Sequence, residues 1–302
     1  MLVTPITPRG YCKGVVRAIN IAKKSINEVK PIYILGMIVH NQYIVNALEE
    51  LGIHTIDIKG KTRLELLDEI NEGTVIITAH GASPQVSIKA KEKGLNVIDA
   101  SCLDVIKTHD LIKDRILKGY DVLYIGKKGH PEAEGAISID ENHTHLITCK
   151  DDLLNLDQDK KYIITNQTTM SLYDVYDLCE YAKKILKHVE IEKETCNATK
   201  VRQEAIKNMD EDIDLVIIVG DPHSNNTRKL ASIASSHKEV IMIESIDDLD
   251  IEILKDKRHV GVSSGASTPT YLTNQIIDFI KQFDINNQNT WIKPSIDKDK
   301  II

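Results

Sequence analysis

Six short runs rich in Val and Ile recur along the chain: PIYIL (31–35), TVIIT (74–78), YDVLYIG (120–126), KYIIT (161–165), DLVIIVG (214–220) and HVGVSS (259–264). They are apolar nearly throughout rather than alternating apolar with polar. A strand of that kind must be covered on both faces, and each run is followed by a Gly-rich or polar turn and then a helical pattern. Parallel sheets carrying helices on both sides are the architecture that answers this. The helical patterns fall at 14–28, 41–51, 84–93, 103–118, 171–187, 200–209, 223–235 and 270–283. The chain of 302 residues has length for two or three such domains at ~100–200 residues each. With only two Phe and one Trp, their cores must be built from Ile, Val and Leu.

The net charge is −7, with acidic and basic residues mixed along the chain, so no basic face for nucleic acid is expected. No apolar run approaches the ~20 residues that span a bilayer. The start, MLVTPITPRG, lacks a basic segment followed by a long apolar one, so no secretory signal is read and a cytoplasmic location is expected.

The five cysteines are Cys12, Cys102, Cys149, Cys179 and Cys196. The number is odd and no CxxC occurs, which argues against a disulfide framework. Cys149, ending THLITC, and Cys179, on the apolar face of LYDVYDLCEYAKKIL, are expected to be buried packing residues. The other three have a shared setting: PRGYCKGVVRAI, DASCLDVIKTH and CNATKVRQEA each place a thiol at the start of a helical pattern. From Cys12 to His40, from Cys102 to His130 and from Cys196 to Ser224 the interval is 28 residues each time. A further polar turn follows in each segment, at His80, Thr168 and Ser267. The chain therefore reads as three similar α/β domains, 13–100, 101–195 and 196–284, the last completed by an N-terminal strand within 1–12. Residues 151–161 form a charged surface excursion, and 285–302 form a polar, irregular tail that is either frayed or laid over a neighbouring domain.

A thiol at a helix N-terminus meets the positive end of the dipole, which favours the thiolate that binds soft metals. If three such domains meet about a pseudo-threefold axis, three thiolates face one centre. Three thiolates leave a structural zinc site one ligand short. They suit an iron–sulfur cluster with one iron left open, and a lone catalytic Cys beside His40, His80 or His130 would leave the other two thiols unexplained. The turns are rich in small hydrogen-bonding residues: Thr168, Thr169, Ser224, Asn225, Asn226 and Ser267. Together with the histidines they suit a phosphate or diphosphate at helix N-termini. Glu132, in GHPEAEG, is a carboxylate inside this set. In a partly dry site its pKa should rise, which equips it to relay protons.

These stretches, with VHNQYIV, AHGAS, TNQTTMS, GDPHSNNTRKLA and GVSSGASTP, resemble the 4-hydroxy-3-methylbut-2-enyl diphosphate reductase family from residue 8 to about 280. The resemblance implies three α/β domains around a central iron–sulfur cluster held by Cys12, Cys102 and Cys196. It implies an active 4Fe-4S form, or 3Fe-4S if the open iron is lost. It implies diphosphate binding by His40, His80, Ser224, Asn226 and Ser267, with Asn225 beside them. His130 matches a further pocket histidine, Glu132 the proton-relay acid, and Thr168 the hydroxyl that orients the substrate alcohol. The implied reaction is a two-electron, two-proton reductive dehydroxylation of an allylic diphosphate. A ferredoxin or flavodoxin would donate the electrons, and the protein would be a monomer or homodimer. The chain departs from the family's common pattern at Leu103-Asp104 after Cys102, at Ser101 for Thr and at Asn225 for Ser. Asp104 brings negative charge towards an anionic cluster. Two alternatives stand beside this reading: a three-cysteine enzyme of the quinolinate synthase kind, and a non-catalytic iron–sulfur sensor.

Overall fold

The computed structural model describes residues 1–192 and 195–302. Twelve strands are described: β1 (Leu2–Pro5), β2 (Ile32–Leu35), β3 (Ile53–Ile56), β4 (Thr74–Ile77), β5 (Asn96–Asp99), β6 (Asp121–Ile125), β7 (Thr144–Ile147), β8 (Lys161–Asn166), β9 (His188–Ile191), β10 (Leu215–Val219), β11 (Glu239–Ile243) and β12 (His259–Ser264). The helices are α1 (Lys13–Lys24), α2 (Gln42–Glu50), α3 (Arg63–Leu66), α4 (Pro84–Glu92), α5 (Leu103–Leu117), α6 (Pro131–Ile137), α7 (Leu172–Ile185), α8 (Asn197–Lys207), α9 (Asn225–Ser235) and α10 (Thr270–Gln282).

The strands form three four-stranded sheets, and every pairing is parallel. Read from one edge, the orders are β5-β4-β2-β3, β9-β8-β6-β7 and β1-β12-β10-β11. One topology thus occurs three times. In each sheet the first-named edge strand leads into a cysteine, and the helix after it carries the chain into another sheet. The expected three parallel-sheet α/β domains are what the fold shows.

The six apolar runs are the six central strands. β4, β6, β10 and β12 are buried at every position, as parallel strands between two helical layers must be. The edge strands are covered less. β9 alternates exposed with half-buried residues, and its sequence, HVEI, carries no continuous apolar signal.

The chain divides into two compact units: Met1–Val15, His40–Ala47 and Asn197–Ile302 in the first, Val16–Val39 and Leu48–Cys196 in the second. In the first unit Leu215, Ile217 and Val219 of β10 pack with Ile276, Ile277 and Ile280 of α10. Val216 and Ile218, on the opposite face, pack with Ile206 of α8 and Leu230 and Ala234 of α9. In the second unit Leu123 and Ile125 pack with Val175, Leu178 and Ala182 of α7, while Val122 and Tyr124 pack with Ile112, Ala133 and Ala136. Each buried aliphatic side chain contributes ~1.5–3 kcal/mol, so period-two burial on both faces holds each sheet between its helices.

Three expectations need correction. α6 occupies a stretch read as a turn: it is short, and His130 caps it with Pro131 in its first turn. Cys149 lies beyond the end of β7 and is exposed, whereas Cys179 is buried as expected. Residues 285–302 are not frayed: Trp291 stacks on Phe283 at 6.0 Å, and Ile301 is 2% exposed.

Candidate functional site

The three cysteines have one backbone setting. Each follows an edge strand and directly precedes a helix: Cys12 before α1, Cys102 as the N-cap of α5, Cys196 before α8. The N–H of Cys12 donates to Ala266 O at 3.0 Å, that of Cys102 to Ala79 O at 2.9 Å, and that of Cys196 to Thr168 O at 3.2 Å. Each acceptor lies in the turn after the neighbouring central strand. Equivalent strands therefore hold the three thiols by equivalent bonds. All three are half-buried thiols outside any disulfide. Soft, thiolate-forming donors repeated three times at helix starts fit an iron–sulfur group, for which Cys is the usual ligand.

The turn before Cys12 depends on Gly10. Its φ is +75°, and a Cβ there would lie 2.2 Å from Thr270 Oγ1, so only glycine is accommodated. Gly10 N donates to Ser264 Oγ at 2.7 Å, and Gly10 O accepts from the Arg202 guanidinium at 2.7 Å.

In the first unit, β10 and β12 are neighbours, so the turns at their C-terminal ends lie side by side. Ser224 caps α9, its side chain accepting from Thr227 N, and Asn225 and Asn226 form the first turn. Ser267 Oγ donates to His40 O at 3.0 Å, which brings the 40–47 segment against the β12 turn. Ser224, Asn225, Asn226 and Ser267 are all buried. Neither atom of the Asn226 amide has a hydrogen-bond partner among the described residues. A buried amide left in that state costs ~1–3 kcal/mol, and a polar ligand would recover it. Asn41 belongs here too. It is fully buried, its Oδ1 accepts from Ile44 N at 3.2 Å, and its Nδ2 lacks a partner among the described residues. The sequence reading missed it, although an Asn just before a helical pattern is a cap signal.

In the second unit the other residues form one connected set. The Cys102 N–H bonds the residue before His80. The His80 and His130 rings meet edge to face with centroids 5.5 Å apart. His130 Nδ1 accepts from Glu132 N at 3.2 Å. Glu132 is 2% exposed; its Oε1 accepts from Thr168 N at 2.6 Å, and its Oε2 accepts from Thr168 Oγ1 at 3.1 Å. Thr168 O in turn holds Cys196. Burial pushes the Glu132 carboxyl up to about 7, against the lowering effect of the Thr168 donors and the Tyr124 hydroxyl. Such a carboxyl holds and releases a proton near neutrality. Tyr124, in a central strand, escapes sequence reading because an aromatic there reads as core.

The candidate ligand, proton-relay and substrate-binding residues thus fall in two sets. His40, Ser224, Asn225, Asn226, Ser267 and Cys12 lie in the first unit. His80, His130, Glu132, Thr168, Cys102 and Cys196 lie in the second. Among the described residues no helix is long and apolar enough to cross a membrane.

A family model described as LytB protein matches residues 3–281. The 4-hydroxy-3-methylbut-2-enyl diphosphate reductase of Anoxybacillus flavithermus is 51% identical over 297 residues, 96% of this chain and 94% of that one. The enzyme of that name from Bacillus subtilis is 49% identical, also over 96% of this chain and 94% of its own. Among solved structures, the E-1-hydroxy-2-methyl-but-2-enyl-4-diphosphate reductase of Plasmodium falciparum superposes with a TM-score of 0.87 at 32% identity, covering 94% of this chain and 89% of that one.

Proposed function

The chain belongs to the LytB protein family, and from that premise we propose that it reduces 4-hydroxy-3-methylbut-2-enyl diphosphate to isopentenyl and dimethylallyl diphosphate. The observation that carries this is the connected set running from Cys102 through His80, His130, Glu132 and Thr168 to Cys196. It sets a buried, protonatable carboxyl between two cysteines that start helices.

Family membership implies an iron–sulfur cofactor. In our reading Cys12, Cys102 and Cys196 hold it as a 4Fe-4S cluster, 3Fe-4S when the open iron is lost. When bound, the cluster supplies the two electrons and a Lewis-acidic iron. The rest falls to side chains. Ser224, Asn225, Asn226 and Ser267 offer amide and hydroxyl donors, with α9 adding its N-terminal N–H groups, and His40 and His80 complete the diphosphate set. The Thr168 hydroxyl orients the substrate alcohol. Glu132 supplies protons: of the two consumed, one leaves with the hydroxyl as water and the other ends on the allyl carbon skeleton. His130 fixes the first turn of α6 and with it the Glu132 backbone. Burial keeps bulk water off this carboxyl, which is why it stays protonatable.

We take 13–100, 101–195 and 196–284 with strand 1–12 as the three repeats. The electron donor would be a ferredoxin or flavodoxin in the cytoplasm, acting on a monomer or homodimer. The test is an anaerobic assay with the hydroxylated C5 diphosphate and reduced methyl viologen, alongside iron and sulfide content. Substrate-dependent viologen oxidation by iron-loaded protein supports the reading; iron-loaded protein that leaves the substrate intact sinks it.

A further inference from the structure

Residues 285–302 lie beyond the stretch matched by the family model, yet they are tied into the first unit next to a cysteine. Their platform is α10. Gln275 Nε2 donates to Ser295 O at 2.8 Å, Asp297 N donates to Tyr271 Oη at 3.0 Å, and Lys300 Nζ lies 5.4 Å from the Tyr271 ring centroid. The same helix holds the other side of the Cys12 turn, because Arg9 donates to Asn274 Oδ1 at 3.2 Å and Gly10 lies against Thr270. The two arms then meet. Tyr11 Oη donates to Ile301 O at 2.6 Å, and the Ile301 side chain is 2% exposed.

We propose that residues 295–301 form a strap that positions Cys12, acting through the Tyr11–Ile301 hydrogen bond and the burial of Ile301. The turn from Pro8 to Cys12 is thereby clamped on both sides. Gly10 and Cys12 are held by Ser264, Arg202 and Ala266, and Tyr11 between them is held by the strap. Tyr11 and Ile301 are positioning residues: neither is assigned contact with substrate. The consequence for the metal site rests on the assignment of Cys12 as a ligand; the clamp itself rests on the geometry alone.

The experiment separates the two. Metal-free, reduced full-length protein is alkylated with iodoacetamide, and the rate at each cysteine is read by peptide mass spectrometry. Exposed Cys149 serves as the unhindered reference. Ile301→Asp should accelerate Cys12 alkylation about fivefold or more while Cys102 and Cys196 stay within about twofold, as local opening of one turn requires. Tyr11→Phe should give a smaller acceleration at Cys12 alone, and Ile301→Val should restore the unsubstituted rate. Equal acceleration at all three cysteines, or none at Cys12, overturns the strap. Iron content after anaerobic reconstitution is measured on the same proteins. An unsubstituted protein that takes up no iron removes the ligand assignment but leaves the alkylation result standing.

Discussion

Glu132 shows how one residue ties stability to chemistry. Its carboxyl is buried, and Thr168 and Tyr124 are the donors facing it, with Asp104 of α5 the carboxylate that acts on it through space. Its pKa is raised from an ordinary 4.5 to about 7, so below the lower value both folded and unfolded chains hold the proton. Between the two values the unfolded chain releases a proton that the folded chain keeps, and stability declines as pH rises until about 7. Glu132→Gln is neutral at every pH and can keep both Thr168 contacts. The variant's stability, read by thermal unfolding, should therefore gain on the unsubstituted protein between pH 5 and pH 8, by an amount on the order of 3 kcal/mol at the end of the range. His109 works the opposite way: burial lowers it to about 4, so its contribution is lost as pH falls. It is common to both proteins and cancels in the difference. The same variant should bind substrate but turn over ~100-fold or more slower, as loss of a positioned acid requires. Flat pH behaviour together with normal turnover would remove Glu132 from the mechanism. Asn226 makes the reverse trade. Its amide is buried without partners among the described residues, so Asn226→Ala should leave the melting temperature unchanged or higher while raising KM about tenfold or more. A fall in melting temperature with unchanged KM would place Asn226 in structure rather than in binding.

At the scale of elements, α9 is a packed helix and, in the function proposed above, an anion site. Ser224 caps it, and Leu230 and Ala234 dock it on β10. Ser224→Ala should cost ~1 kcal/mol of stability by loss of the cap and should also weaken binding. Ser224→Asp separates the two roles: aspartate caps as well as serine but sets a negative charge beside a diphosphate. It should melt like the unsubstituted protein and bind substrate far more weakly, as read by thermal unfolding and KM. Equal binding by the Asp variant would move the diphosphate away from α9. The same contrast between packing and polarity explains what could be read in the sequence. Central strands such as LVIIV need two apolar faces and announce themselves. Edge strands such as NVID and HVEI have one half-covered face, so polar residues break their pattern. α6 escaped because it has only seven residues and buries Glu132 where a short helix would ordinarily bury an apolar side chain. The placement of the candidate residues in strand-end turns was legible, because turns after central strands are where a parallel sheet exposes backbone and side chains. Asn41 and Tyr124 were not, since their roles depend on contacts that no spacing encodes.

Across the whole molecule, the 28-residue interval has a topological cause. In each sheet the cysteine follows the same edge strand, and its N–H bonds the turn after the same central strand. The helices that come next differ in length, but helix, connection and first central strand together end 23 residues after each cysteine, at Leu35, Ile125 and Val219, so the next polar turn recurs at a fixed distance. Equivalence of position makes a strict demand on function: if one thiol is a ligand by virtue of its setting, all three are. Cys12→Ser, Cys102→Ser and Cys196→Ser should therefore each lose most of the iron bound by anaerobically reconstituted protein, since a serine hydroxyl does not replace a thiolate for iron–sulfur binding. None should unfold the metal-free protein, because all three thiols are only half-buried and lie outside any disulfide, and serine at the Cys102 N-cap improves the cap of α5. Iron content and metal-free melting temperature are the two measurements. A variant that keeps its full iron would break the equivalence and leave that cysteine with a fold role alone. A variant that loses iron only because the metal-free chain melts would show the thiol to be structural. Uniform loss of iron on three intact folds is the result that the repeated topology requires.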